Sequence, residues 1–242
     1  MRVALVTLAT RNFLPGVEVL ARSLKKNSPV FWNSVEKVLL SPDVEEYDGF
    51  RVVKSTIEEY PYAWQEKTRS CACKLKLFNL TEYDKIIFYE ADSVCIRPID
   101  AMLDEAAEKY HMMGVRGYPA VLSKGNTRDI DGVTCLCGDG WIVNKRLLTG
   151  KFHRFLKKVG SEFTSRSIKW GDMRVLNTAL MRKPFNVGEL SPVYCFMHKT
   201  KLGNPELYQK LKDDIRMIHF TGRPKPWEHG DLTMACLDAY RG

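Results

Sequence analysis

Ile86, Ile87, Phe88 and Tyr89 form an unbroken apolar run that ends in Glu90-Ala91-Asp92. A short β-prone run of this kind predicts a buried strand. In extended backbone, residues i and i+2 point to the same face, so the two acids converge at one spot beyond the strand's carboxyl end. Open α/β sheets place their ligands there. Paired carboxylates in that position can hold a hard divalent cation and leave its other coordination positions to phosphate oxygens. An E-x-D triplet taken alone is also compatible with two solvated acids in a strand-to-loop turn. The rest of the chain decides between the two.

The segments on either side read as an α/β protein. Residues 3–8 predict a first strand, with Thr7, Thr10, Arg11 and Asn12 at its carboxyl end. Residues 15–26 are helical in pattern, with Val17, Leu20, Ala21 and Leu24 on one face and Pro15 suited to a first turn. Residues 35–40 and 50–54 predict two more strands, so the chain opens as a parallel, nucleotide-binding sheet does. Residues 60–64 form an aromatic loop, either packed on the core or serving as a wall for an acceptor. Residues 67–80 predict a helix carrying Lys67, Arg69, Lys74 and Lys76 into the central strand. Asp100 is expected to cap a helix over 101–109. Residues 112–115 predict a strand and 117–132 a loop over the site. A strand is expected over 135–143, helices over 146–159 and 169–181, an irregular stretch over 189–201, a helical turn over 207–211 and a late strand over 215–220. Residues after Glu228 predict a terminal helix.

Composition narrows the partners. The chain has 242 residues, is 45% hydrophobic and 27% charged, and carries 37 Lys and Arg against 29 Asp and Glu, a net charge of +8. That excess favours anionic partners such as nucleotide diphosphates. The basic residues are scattered rather than blocked, which argues against nucleic acid. No apolar run reaches the roughly 18 residues that a membrane span needs, and the N-terminus reads as a strand rather than a signal peptide. Seven cysteines, odd in number and dispersed, fit a reducing, cytoplasmic setting. The C-x-C pairs Cys71/Cys73 and Cys135/Cys137 are spaced too closely for a usual structural zinc site.

Five segments in order carry a resemblance. They are V-T-L-A-T-R-N-F near the start, C-K-L-K-L-F followed by L-T-E-Y-D-K, the E-A-D triplet, G-D-M-R-V-L-N from Gly171, and H-F-T-G-R-P-K-P-W from His219. Together the chain resembles glycosyltransferase family 8, the glycogenin-like retaining transferases. The resemblance implies a GT-A fold: a Rossmann-like, mostly parallel central sheet flanked by helices. It implies a single domain over residues 1–242, nucleotide-binding at about 1–100 and sugar- and acceptor-binding at about 101–242. It implies a UDP-linked sugar donor, a separate glycan, protein or small-molecule acceptor, and Mn²⁺ or Mg²⁺ held by Glu90, Asp92 and His219. By the same resemblance Leu8, Thr10, Arg11 and Phe13 border the uracil and ribose, and Gly222 and Lys225 touch the diphosphate. Lys74 lies near the sugar and phosphates, and Asp172 approaches the transferred sugar.

The departures from the pattern are informative. Glu90 stands where the family has Asp, Met173 where it has Gln, and Gly138-Asp139-Gly140 where N-S-G is common. Met173 cannot hydrogen-bond as Gln does, so glucose as donor sugar is not implied. No tyrosine aligns with the self-glucosylated one of glycogenin; Tyr194 and Tyr208 fall elsewhere. At the start of its helix, Asp172 is expected to have its pKa drawn down by the dipole and backbone N–H groups. Two other readings stand beside the transferase: a nucleotidyltransferase, which should lack H-x-x-G-x-x-K-P-W, and a non-catalytic nucleotide-sugar or glycan-binding protein, which Met173 favours.

Overall fold

The computed structural model describes residues 1–60, 66–104, 108–116, 129–130, 133–134, 136–163, 171–222, 225 and 227. In chain order the elements are β1 (Val3–Leu8), α1 (Leu14–Asn27), α2 (Pro29–Ser34), β2 (Glu36–Ser41), β3 (Arg51–Lys54), a 3-10 helix over Glu66–Asn79, β4 (Lys85–Phe88) and β5 (Ser93–Cys95). They continue with β6 (Met112–Arg116), β7 (Asp129–Ile130), β8 (Val133–Thr134), β9 (Leu136–Asn144), α3 (Gly150–Ser161), α4 (Gly171–Met181), β10 (Val187–Glu189), β11 (Phe196–Met197), α5 (Thr200–Gly203), α6 (Pro205–Leu211) and β12 (Met217–His219).

The central sheet has the order β10-β6-β9-β4-β1-β2-β3. Strands β3, β2, β1 and β4 run parallel, β10 runs parallel to β6, and β9 is antiparallel to both its neighbours. Both faces are buried, as the apolar runs require. Ala4, Val6, Ile86 and Phe88 pack with Leu75, Phe78 and helices α3 and α4 on one face. Val3, Leu5, Ile87 and Tyr89 pack with Leu20 and Leu24 of α1 on the other. Alternate residues of a single strand thus feed two cores.

A second sheet, β11-β12-β5, assembles the site. Strand β5 leaves directly from the E-A-D turn and pairs antiparallel with β12, in a register that sets His219 opposite Ser93. Phe220 N donates to Asp92 O at 3.0 Å. Residues over a hundred positions apart in sequence are therefore fixed side by side by backbone hydrogen bonds.

Several local expectations change. Asp100 does not cap its own helical turn, Asp100–Leu103. Its carboxylate accepts from Phe31 N at 2.6 Å and Ser28 Oγ at 3.0 Å, and so caps the start of α2. The helix expected from 146 starts at Gly150, where Thr149 Oγ1 accepts from Phe152 N at 3.1 Å. The stretch at 189–201 is more ordered than expected and holds β11 and the start of α5. Within the expected loop at 117–132, Asp129–Ile130 pairs with Val133–Thr134; residues 117–128 and 131–132 lie outside the described set, as does the expected terminal helix. The basic helix is wound with three residues per turn, which stacks Cys71 and Lys74 on one side. The side chains of Lys67 and Arg69 are outside the described set.

Candidate active site

The turn after β4 places Glu90 and Asp92 against His219. His219 Nε2 lies 3.0 Å from Glu90 Oε2 and 3.3 Å from Asp92 Oδ1. One donor atom from each of the three falls within 4.8 Å of the others. Each carboxylate also holds a lysine. Lys74 Nζ bonds Glu90 Oε1, accepts no exposure to solvent beyond 2%, and reaches Asp172 Oδ2 at 2.9 Å and Gly138 O at 3.1 Å. Lys225 Nζ bonds Asp92 Oδ2 and Phe220 O, the latter at 2.9 Å.

The electrostatics follow from this crowding. Burial alone would raise the Glu90 carboxyl, but Lys74 and His219 outweigh it and hold it well below the usual range. Asp92 is likewise pushed up by burial and pulled down further by His219 and Lys225. Burial opposes the charged imidazole of His219, yet Asp92 and Asp139 raise its pKa well above the usual value. Asp172 corrects the sequence expectation. Its pKa is raised, because burial, with Glu90 adding, outweighs Lys74 and the helix start.

Above the triad opens a cleft of about 290 Å³. Its walls include Leu8, Thr10, Phe13, Glu90, Asp92, His219, Gly222 and Lys225. Arg11 is turned away: its backbone N–H and guanidinium both bond Asp43. Lys74 and Asp172 sit deeper, behind Glu90. Gly16 explains how the cleft closes at one end. A Cβ there would meet the Trp227 ring at 2.5 Å and Ala91 O at 2.6 Å, so only glycine lets α1, the E-A-D turn and the closing segment meet. Trp227 also packs edge-on against Phe13.

Helix α4 is clamped to β9 by Asn177, which exchanges hydrogen bonds with the Leu136 backbone and donates to Met173 O. That clamp holds Asp172 beside Lys74. Met173 does not reach toward the cleft as a polar residue would; its Cγ and Sδ lie 3.1 Å from where a Gly138 Cβ would be. Tyr60 is buried in the core, hydrogen-bonded to His153, which favours the packing reading of that ring; residues 61–65 lie outside the described set. Cys71 lines the cleft, but burial, with Asp172 adding, pushes its thiol to about 12, so it is no nucleophile at neutral pH. The free thiols of Cys71 and Cys73 form no metal cluster among the described residues.

The family profile described as glycosyl transferase family 8 matches residues 4–230. The chain belongs to glycosyltransferase family 8. No curated protein matches it in sequence. Among solved structures it is similar to the galactosyltransferase LgtC in complex with donor and acceptor sugar analogues, with a TM-score of 0.70 at 17% identity, over 98% of this chain and 94% of that one. It is also similar to the glycosyltransferase GlyE of Streptococcus pneumoniae TIGR4, with a TM-score of 0.67 at 13% identity, over 99% of this chain and 60% of that one. The bifunctional glycosyltransferase WbbM gives 0.68 at 15% identity, over 98% of this chain and 49% of that one. At these identities the likeness speaks to the fold, which is GT-A, and membership of family 8 makes the chain a glycosyltransferase. No helix among the described residues is long and apolar enough to cross a membrane.

Asp139 appeared in the sequence only as part of the departure from N-S-G and was given no role there. It is fully buried, accepts from Glu90 N at 2.7 Å and from Ser93 Oγ at 2.5 Å, and burial raises its carboxyl to about 6 against the pull of His219. Its signal in the sequence was a lone acid inside the otherwise apolar stretch L-C-G-D-G-W-I-V.

Proposed function

We propose that this family 8 glycosyltransferase depends on a divalent metal, takes a UDP-linked sugar as donor, and transfers the sugar with retained configuration to a separate acceptor. The observation that carries the reading is the convergence of Glu90, Asp92 and His219 at the floor of the cleft. Two hard carboxylate oxygens and one imidazole suit Mn²⁺ or Mg²⁺ with positions left for phosphate oxygens. Both carboxylates are held ionised and each already carries a cationic lysine, so the pocket is built to face positive charge. When bound, the ion would neutralise charge that develops on the departing diphosphate.

The chain's own residues divide the rest of the work. Leu8, Thr10 and Phe13 line the end of the cleft suited to the base and ribose, while Arg11 contributes through its bond to Asp43 rather than by reaching in. Gly222 and Lys225 close the cleft where the diphosphate would lie, and Lys225 can trade Asp92 for a phosphate oxygen. Lys74 pins Glu90 and Asp172 in fixed relation. Asp172, buried beside the sugar end, would accept a hydrogen bond from a donor-sugar hydroxyl. Cleft residues come from both halves of the chain, so the nucleotide would be held by residues near the N-terminus and by those from His219 onward.

A second reading, a nucleotide-sugar binder without transferase activity, draws on Met173 packing against Gly138 in place of a polar side chain. A turnover assay on UDP-glucose, UDP-galactose and N-acetylated donors, with and without Mn²⁺, separates the two. Mn²⁺-dependent release of UDP from at least one donor is expected. UDP binding with no release from any donor would favour the binder, and metal-independent release would remove the metal from the scheme.

A further inference from the structure

Asp139 lies in the middle of β9, between two glycines, and none of the family-like segments accounts for an acid there. Gly140 adopts a φ of +69°, and a Cβ on it would lie 2.9 Å from Cys195 Cβ. The strand therefore kinks past Cys195 and carries Asp139 into the space between the end of β4 and β12. There its two oxygens address different parts of the site. Oδ1 accepts from Glu90 N at 2.7 Å. Oδ2 accepts from Ser93 Oγ at 2.5 Å and from the Cys195 thiol at 3.8 Å. The same Oδ2 stands 3.6 Å from the buried His219 Nδ1, and the Cys195 thiol also approaches that ring. On the far side of that ring, Nε2 faces Glu90 and Asp92.

A buried carboxylate is expensive unless it is well partnered, and an apolar β9 would close the sheet without it. A histidine ligand needs its free nitrogen addressed by an acceptor, which fixes the ring's orientation and leaves the other lone pair for the ion. We propose that Asp139 is a positioning residue for the metal centre: it holds the Glu90 backbone with one oxygen and turns the His219 ring with the other, so that Nδ1–H points inward and the Nε2 lone pair points to the cleft. This rests on the metal reading above. Asp139, Cys195 and His219 also lie within 4.8 Å of one another, and the number of ions bound per chain separates that grouping from the Glu90, Asp92 and His219 site.

The test is Mn²⁺ binding in the presence of UDP, read from the paramagnetic resonance signal of free Mn²⁺, for wild type, Asp139→Asn, His219→Ala and the double variant. Thermal melting checks that each is folded. Asp139→Asn is expected to weaken Mn²⁺ binding about 10- to 100-fold. Asparagine keeps an oxygen to accept from Glu90 N and loses the acceptor that faces His219, so in the His219→Ala background the same change is expected to cost no more than about twofold. Equal losses in both backgrounds would overturn the proposal, as would wild-type affinity in Asp139→Asn or two ions per chain. Absence of Mn²⁺ binding by the wild type would instead bring down the metal reading, and this inference with it. Should Asp139→Asn not fold, nitrogen-15 spectra of wild type with Mg²⁺ and UDP decide the matter. A protonated His219 Nδ1 is expected, and an unprotonated Nδ1 overturns the assignment.

Discussion

His153 and His219 are buried to the same extent, each with 6% of its surface exposed, yet their pKa values are driven in opposite directions. His153 sits on α3, within hydrogen-bonding distance of the Tyr60 hydroxyl at 2.9 Å. Burial drives its pKa down to about 4, and Lys157 and Lys76 push the same way. His219 sits at the end of β12, and there Asp92 and Asp139 overcome burial and favour the protonated ring, whose Nε2 proton an ion bound there would displace. Burial carries the first case and neighbouring carboxylates reverse it in the second, so depth alone does not fix the state of a buried histidine. Helix α3 surrounds its histidine with lysines and aromatic rings, which make a neutral structural group. The paired strand ends of β4 and β12 surround theirs with carboxylates, which favour positive charge there.

The largest test of that contrast removes a carboxylate. Asp92→Ala is expected to abolish Mn²⁺-dependent UDP binding, a loss beyond about 100-fold, with Glu90→Ala weaker. Calorimetric titration with and without Mn²⁺ measures it, and wild-type affinity in Asp92→Ala would show that His219 and its carboxylates mark no metal site. Next comes the cation opposite. Lys225→Ala is expected to lower turnover about 100-fold while the ranking of donor sugars stays the same, because charge on the leaving group acts whichever sugar is attached. A changed ranking at normal turnover would place Lys225 on the sugar instead.

The neutral histidine supplies the pH test. Its value in the fold, about 4, lies below its ordinary value of 6.5. Above 6.5 both folded and unfolded chains hold it neutral, and its contribution is fully present. As pH falls from about 6.5 to about 4 the unfolded chain takes up a proton that the folded chain refuses, so stability is lost across that window. The loss approaches about 3 kcal/mol at about 1.4 kcal/mol per pKa unit. Urea unfolding of wild type and His153→Gln at pH 7, 5.5 and 4 isolates it as the difference between the two curves. Parallel curves would mean that His153 is solvated enough to titrate normally.

The two regions were unequally legible in the sequence. Strands β1, β2, β4 and β9 announce themselves by apolar runs, since burial on both faces needs nothing else. The convergence of Glu90, Asp92 and His219 was legible because spacing and family-like segments named the three residues. The pairing of Ser93 with His219 was not readable, because register between distant strands is a tertiary fact. Asp139 was hidden for a related reason: the expected strand over 135–143 includes it, but the kink at Gly140 that turns it inward is not readable from the sequence. The lowered pKa expected for Asp172 failed because helix-dipole reasoning is local, whereas burial against Glu90 is not. Asp100 likewise spends its carboxylate on α2, a neighbour in space only.

The smallest expected effect separates hydrogen bonding from charge at His153. Tyr60→Phe deletes the hydroxyl that lies 2.9 Å from His153 Nε2 and leaves the ring in place to fill the core. A buried polar group losing a neutral partner costs about 1 kcal/mol, so the variant should be destabilised by about that much at pH 7. The acid window between about 6.5 and 4 should remain as wide as in wild type, because burial, Lys157 and Lys76 set the histidine's charge and the tyrosine hydroxyl does not. Urea unfolding of Tyr60→Phe over the same three pH values measures both quantities at once. A uniform downward shift of the curve is the expected result. If the shift instead grows or vanishes on acidification, the hydroxyl favours one protonation state of His153. The difference between the two buried histidines would then rest on hydrogen bonds as much as on the charges around them.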